Sequence, residues 1–393
     1  MRPQNELLVF ELSEYKTRLE KVRENMRRDG IDVALITDRV DNTYLTGHPY
    51  GPPERGTCTI IPLDGNITMI ERLIEKGNVE LILGKTIDRT FFWADAAETD
   101  APFPSLYQMI GQVVNDQGFG NKRIGVQMGS NLFTVASFEI LKKALPKATF
   151  VDASSLVENL RLIKSSMEIE RIRRAARIAS KGLAAGIDAV KEGVSENNIA
   201  AAVLSAMLEC PDYEFVRQAP HITSGPRATL SHTTWSGRIL RKGDIVYLEV
   251  PANVNRYTAI TMRCVSVGPP SEKIEKVAEV VIKAQKAAID AMKPGVTAGD
   301  VDEACRSVIE KAGYGEYFRN RTGYTTGLEW VQTHGINLVS GNPVKLKAGM
   351  TFHVIPICMF LGESAVGMSD TVLVTEEGAE VLTGLGRKLY IKS

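Results

Sequence analysis

Few side chains in this sequence are placed to move protons or to hold charge against apolar surroundings. His232 stands in LSHTTWSGR. Imidazole titrates near ~6.5, so it can take up a proton and return it at neutral pH. The same residue could be a hydrogen-bonded structural histidine. Glu249 closes the apolar run DIVYLE and is followed at once by Val250 and Pro251. A carboxylate in such a run is costly unless a cation or hydrogen-bond donors meet it. A cationic ligand would serve, as would Arg256 or Arg263, and an exposed charge is the third reading. Tyr324, in RTGYTTG between Gly323 and Gly327, can orient water or a substrate through its hydroxyl, or can be a packed aromatic. Arg55 follows Pro52, Pro53 and Glu54 and could grip a carboxylate with its fork, or lie on the surface. Trp235, Trp330 and His353 could line a pocket for a cation, or belong to the core. His221 and His334 carry weaker signals and read as structural or loop residues.

These residues need elements to bring them together. EYKTRLEKVRENMRRDG places Tyr15, Leu19, Val22 and Met26 at helical spacing, and Gly30 stops the helix. DVALITD reads as a buried strand. TCTIIPLDGNITMIE reads as a hairpin around Asp64 and Gly65. KRIGVQM and ATFVDAS are further strands, with the helical TVASFEILKKAL between them. This is an α/β unit with a mixed or parallel sheet. The texture changes near RLIKSSME, where a long Ala-rich helix begins, so the domains are expected at 1–160 and 161–393. The second domain repeats itself: AGIDAVKEGVS and AAIDAMKPGVT align along their length. In each copy a helix is expected to end at Gly193 or Gly295, and a second to start from Ser195 or Thr297. Strands follow both pairs: GDIVYLEVPANV and AITMRCVSVG, then MTFHVIPICMFL and DTVLVTEE. Two related halves commonly face each other across a cleft. A duplicated scaffold without a site is the alternative.

The composition narrows the classes. Among 393 residues, Lys+Arg and Asp+Glu both number 47, so no net field draws the chain to nucleic acid or a membrane surface. The five cysteines are scattered without CxxC spacing, which argues against a zinc knot and fits a reducing compartment. The N-terminus lacks an apolar core of signal-peptide length, and no apolar stretch reaches membrane-spanning length. A soluble, cytoplasmic protein is expected.

The phrases SHTTWSG, KGDIVYLEV, YTAITMR, RTGYTTGL, LKAGMTFHVIP and DTVLVTEEGAEVLT occur in an order that resembles the family of methionine aminopeptidase, prolidase, aminopeptidase P and creatinase. The resemblance covers essentially the whole chain. It implies an α/β (α+β) protein: a creatinase-like N-terminal α/β domain, then a "pita-bread" domain with an internal pseudo-twofold repeat. Peptidases of this fold hold two metal ions on five ligands. Those positions fall here on Glu249, Ile260, Tyr324, Ile355 and Ser369. One carboxylate cannot hold a two-metal cluster, so the resemblance implies no metal and no other cofactor. SHTTWSGR, RTGYTTG and GMTFHVIP look most like the metal-free branch, ectoine hydrolase and creatinase. Met262 and Ile355 stand where creatinase keeps glutamates, which argues against creatine itself. Arg55 lines up with a creatinase arginine that reaches the neighbouring subunit's substrate, which implies a homodimer.

The chemistry then expected is hydrolysis of a non-peptide C–N bond in a small zwitterion. His232, Glu249 and Tyr324 would be catalytic, and Arg55, Trp235, Trp330 and His353 would bind substrate. Creatinase activity, a metallopeptidase and a silent binding module are the competing expectations.

Overall fold

In the computed structural model, which describes residues 8–49, 56–94, 105–214, 219–331 and 335–393, the chain divides into two units, Met1–Arg161 and Leu162–Ser393. Arg55 and His334 lie outside the described residues.

The first unit opens with the helix Leu12–Asp29, stopped by Gly30 at φ 65°. Tyr15, Val22 and Met26 are buried as the spacing predicts, but Arg18 replaces Leu19 on the inner face. Its guanidinium lies 4.1 Å from the Tyr44 ring centroid and donates to the Tyr44 carbonyl at 2.7 Å, so aromatic faces and a backbone acceptor make an arginine tolerable inside. The hairpin forms as expected: Cys58–Pro62 pairs antiparallel with Thr68–Arg72, and Gly65 takes φ 97° in the turn. Val33–Ile36 is the buried strand, parallel to Arg123–Val126, which is parallel in turn to Thr149–Asp152. The helix Val135–Ala144 joins the last two. With the edge strand Arg89–Trp93 they complete a mixed six-stranded sheet.

The second unit is built twice. The helices Ser166–Ala189 and Glu196–Leu208 pair in the first half, Glu272–Ala291 and Ala298–Lys311 in the second. The first helix of each pair ends earlier than the sequence suggested, because Val190 and Met292 already leave the helical conformation. Gly193 and Gly295 instead form the turn at φ 85° and 89°. The turns are tied identically: Gly193 and Gly295 donate to the Leu240 and Leu346 carbonyls, and those two amides donate back to Val194 and Val296. Ser195 and Thr297 then close capping boxes with Asn198 and Asp300.

Each helix pair covers a sheet. In the first half, His221–Ser224, Ile245–Val254, Tyr257–Val267 and Tyr390–Lys392 form four strands. In the second, Gly323–Thr325, Thr351–Val354 and Asp370–Val374 are consecutive neighbours in a five-stranded sheet. Pro356 splits MTFHVIPICMFL into two strands, Thr351–Val354 and Ile357–Phe360, and the latter pairs with Ser364–Gly367. Met262 and Ser369 exchange backbone hydrogen bonds of 3.1 and 3.0 Å, stitching the halves. Beside this stitch Arg263 is fully buried, paired with Asp370 at 2.9 Å and donating to the Ser369 carbonyl at 2.7 Å. That accounts for Arg263 without Glu249.

Candidate active site

Residues directly opposite on paired strands share a face of the sheet. In the first half the register aligns His221, Glu249 and Met262, and in the second Tyr324, His353 and Thr371. From these rows His221, Glu249 and Tyr324 reach a common cavity of about 530 Å³, while Met262, His353 and Thr371 are buried and do not line it. His221, His232, Tyr247, Glu249, Tyr324 and Trp330 all line it. Gly323 is required for this meeting, since a Cβ there would fall 2.5 Å from the His353 carbonyl oxygen. Its absence lets the Tyr324 strand approach the His353 strand closely.

Glu249 is buried and accepts a hydrogen bond from the Tyr247 hydroxyl at 2.8 Å. Burial raises its carboxyl pKa to about 7, against the lowering effect of that hydrogen bond. The nearest basic nitrogen is His353 Nε2, at 3.8 Å. Burial, helped by the Arg321 charge, lowers the His353 pKa to about 3, so this imidazole is neutral and the contact is not an ion pair. Among the described residues, Glu249 has no permanent cation.

Tyr324 is fixed from two sides. Trp330 Nε1 donates to its oxygen at 2.9 Å, and His353 Nδ1 lies 2.9 Å away. The other His353 nitrogen meets Ser369 Oγ at 2.6 Å. In the His353 tautomer protonated at Nδ1, Tyr324 accepts both hydrogen bonds and its own O–H is left to donate into the cavity. Burial, reinforced by the Glu249 charge, raises the phenol pKa, so Tyr324 is a donor and not a base.

His232 lies exposed at the wall of the cavity with a left-handed backbone, φ 59°. Histidine tolerates that region better than most residues, yet it remains uncommon outside glycine. Its neighbour His221 is half-buried, its ring centroid 6.1 Å from that of His232 and 5.3 Å from Trp330. Burial lowers the pKa of His221, partly offset by a hydrogen bond with the Thr233 backbone, so this imidazole braces the loop that carries His232.

The sequence reading therefore meets several corrections. His221, read as structural or loop, is a strand residue at the cavity. Trp235 is half-buried and is not among the lining residues. His353 is fully buried one layer behind, and reaches the site through Tyr324. Gly323–Thr325, within RTGYTTG, is a strand. Arg321 and Tyr247, both at the cavity, were passed over. The alternation Tyr247, Leu248, Glu249 could have flagged Tyr247, since residues two apart on a strand share a face.

These elements define a two-domain α/β chain whose second domain is duplicated around a cavity lined by polar side chains. The chain belongs to metallopeptidase family M24: that family's model matches residues 170–376, and a creatinase/prolidase N-terminal domain model matches residues 18–163. It is 30% identical over 389 residues, with 98% of each chain covered, to an uncharacterized hydrolase/peptidase of Sinorhizobium fredii. It is 25% identical to the ectoine hydrolase of Halomonas elongata, covering 98% of this chain and 99% of that one. The prolidase from Thermococcus sibiricus superposes with a TM-score of 0.84 at 29% identity, over 96% of this chain and 99% of that one. The protein is a hydrolase of this family with a pita-bread C-terminal domain.

The family name implies metal, and the side chains at the five aligned positions can be tested for it. Ile260 and Ile355 are buried and offer no donor. Ser369 Oγ is engaged by His353, and Tyr324 holds its proton. Only Glu249 is a carboxylate. Among the described residues no three His, Cys, Asp or Glu side chains cluster as metal ligands. This donor set does not fit a two-metal centre.

Proposed function

We propose that the protein hydrolyses, without metal, a non-peptide C–N bond in a small zwitterion carrying an amidinium or guanidinium group, of the ectoine type. The observation that carries this reading is Glu249: a buried carboxylate facing a cavity, its pKa raised to about 7, with no cation to meet it among the described residues. A cationic substrate supplies the missing charge. It also removes the need for a Lewis acid, since an amidinium carries a positive charge that a neutral peptide carbonyl lacks.

The steps follow from the side chains. Glu249 holds the cationic nitrogens. His232 takes a proton from water as the water oxygen bonds to the amidinium carbon. The carbon becomes tetrahedral, and Tyr324 donates its O–H to the new oxygen. His232 returns the proton to one nitrogen, the C–N bond breaks toward that nitrogen, and the proton left on the new oxygen passes to the released amine, so that an ammonium and an amide result. Trp330 and His353 act by fixing Tyr324. Arg55 is proposed to reach the substrate carboxylate of a neighbouring subunit in a homodimer.

The test is turnover of ectoine, hydroxyectoine and creatine, with Xaa-Pro dipeptides for comparison, by protein treated with and without chelator. Chelator-resistant hydrolysis of a cyclic amidine supports the reading. Cleavage of a dipeptide that needs added divalent metal overturns it, as does a protein that binds zwitterions but turns none over.

A further inference from the structure

We propose that Arg321 is the specificity-determining anion site of this cavity, receiving the carboxylate of a small dipolar substrate whose cationic end meets Glu249. The inference rests on the function proposed above and names the side chain that selects for the acid.

Other buried and half-buried arginines of the second unit show what is unusual. Arg306 pairs with Asp302 at 2.8 Å, Arg238 with Asp244 at 2.7 Å, and fully buried Arg263 with Asp370 at 2.9 Å. Arg321 is half-buried at the cavity wall and has no carboxylate partner among the described residues. Its guanidinium lies 4.1 Å from the Tyr324 ring centroid, and Nη1 donates to Asn337 Oδ1. These two contacts fix its plane and leave the other N–H groups without a hydrogen-bond partner among the described residues. A guanidinium held flat on an aromatic ring is prepared for two-pronged recognition of a carboxylate. Burial also lowers its pKa, the mark of a cation lacking a counter-charge.

The carboxylate it lacks is not Glu249. The close contact of Glu249 with a basic side chain is with His353 and not with Arg321 among the described residues, although Glu249 and Arg321 both line the cavity with Tyr324. One cavity therefore holds a cation and a carboxyl group that do not pair with each other, with the Tyr324 ring stacked beside the cation. Neutral ligands would leave both charges unpaired, and a purely cationic one would leave Arg321 so. A zwitterion satisfies both. Arg319 also lines the cavity, but it is exposed and spends Nε on the Glu316 carbonyl, so it lacks this preparation.

The experiment compares two probes by titration calorimetry: ectoine, and 2-methyl-1,4,5,6-tetrahydropyrimidine, the same cyclic amidinium without the carboxylate. Arg321→Met is expected to weaken ectoine by about 30-fold or more, the loss typical of truncating one partner of a desolvated charge pair. It should change the carboxylate-free ring less than about 3-fold on the same argument. Arg319→Gln should spare both probes. Equal losses for the two probes, or a loss of ectoine preference in Arg55→Ala with none in Arg321→Met, would overturn the inference while leaving the hydrolase reading intact. Should wild-type protein bind neither probe, the hydrolase reading is what fails. Arg321 is then tested by phenylglyoxal labelling of wild-type protein, followed by mass spectrometry of its peptide. Slower labelling in acetate than in chloride upholds an anion site there, and equal labelling overturns it.

Discussion

At the scale of single residues, the site is a problem of charge. Glu249 keeps a carboxyl pKa of about 7 because burial outweighs its hydrogen bond to Tyr247. Its folded pKa exceeds the unfolded one, so it favours folding below the unfolded value, and that contribution is lost as pH rises through about 7. The shift corresponds to about 3 kcal/mol once the group is fully ionised. Glu249→Gln is therefore expected to melt higher than wild type at pH 8.5, with the gap closing toward pH 6. A gap independent of pH in thermal melts would show that Glu249 is not the buried acid described. His353 works in the opposite direction: its pKa, lowered to about 3, makes acid destabilising from about pH 6.5 downward, in wild type and variant alike, so the gap between them is the quantity to follow.

Two further substitutions separate the groups proposed to be catalytic. Tyr324→Phe keeps the ring beneath Arg321 but removes the donor, and should lower kcat by ~10²-fold with little change in KM. His232→Ala should lower kcat by ~10²–10⁴-fold. Unchanged kcat in both would leave the cavity as a binding site only.

At the scale of elements, the repeat is what joins distant residues. The paired turns at Gly193 and Gly295 and the paired caps at Ser195 and Thr297 show equivalent local solutions in the two halves. Ser195→Ala and Thr297→Ala should each cost about 1 kcal/mol in denaturant melts, without altering KM. A change in KM with either cap would mean that the helices are coupled to the site. Much of this level was legible in the sequence. Hydroxyl caps, glycine turns and the hairpin around Asp64 and Gly65 depend on neighbours in the chain. What was not legible depends on pairing across long intervals. His221 comes to the site because its strand aligns with Glu249, and His353 is buried against Tyr324, opposite it on the neighbouring strand. Neither register is written in local spacing. Arg18 entered the inner face for a similar reason, since Tyr44 supplies both its ring and its carbonyl from a separate helix.

At the scale of the whole molecule, a family scaffold whose peptidase members use metal keeps its shape while the aligned positions change character. Aliphatic side chains at Ile260 and Ile355 cannot bind ions, whereas Glu249, Tyr324 and Arg321 retain polar functions at the cavity. The seam between halves is held by Arg263 and Asp370, buried and hydrogen-bonded. Breaking it with Arg263→Met should destabilise the fold by about 3–5 kcal/mol in urea melts, because Asp370 loses a buried partner. Arg387 Nε, 3.1 Å from Asp370, provides a partial reserve that could bring the loss to the lower end.

The central claim is that charge on the ligand meets the carboxyl of Glu249. Proton linkage tests it most directly. At pH 7 a group with a pKa of about 7 is about half protonated, and a bound cation drives it to the ionised form. Ectoine binding enthalpies, measured at pH 7 in buffers of different ionisation enthalpy, should therefore reveal release of about half a proton per molecule, absent in Glu249→Gln. Tight binding with no proton released, or the same release in the variant, would contradict the account.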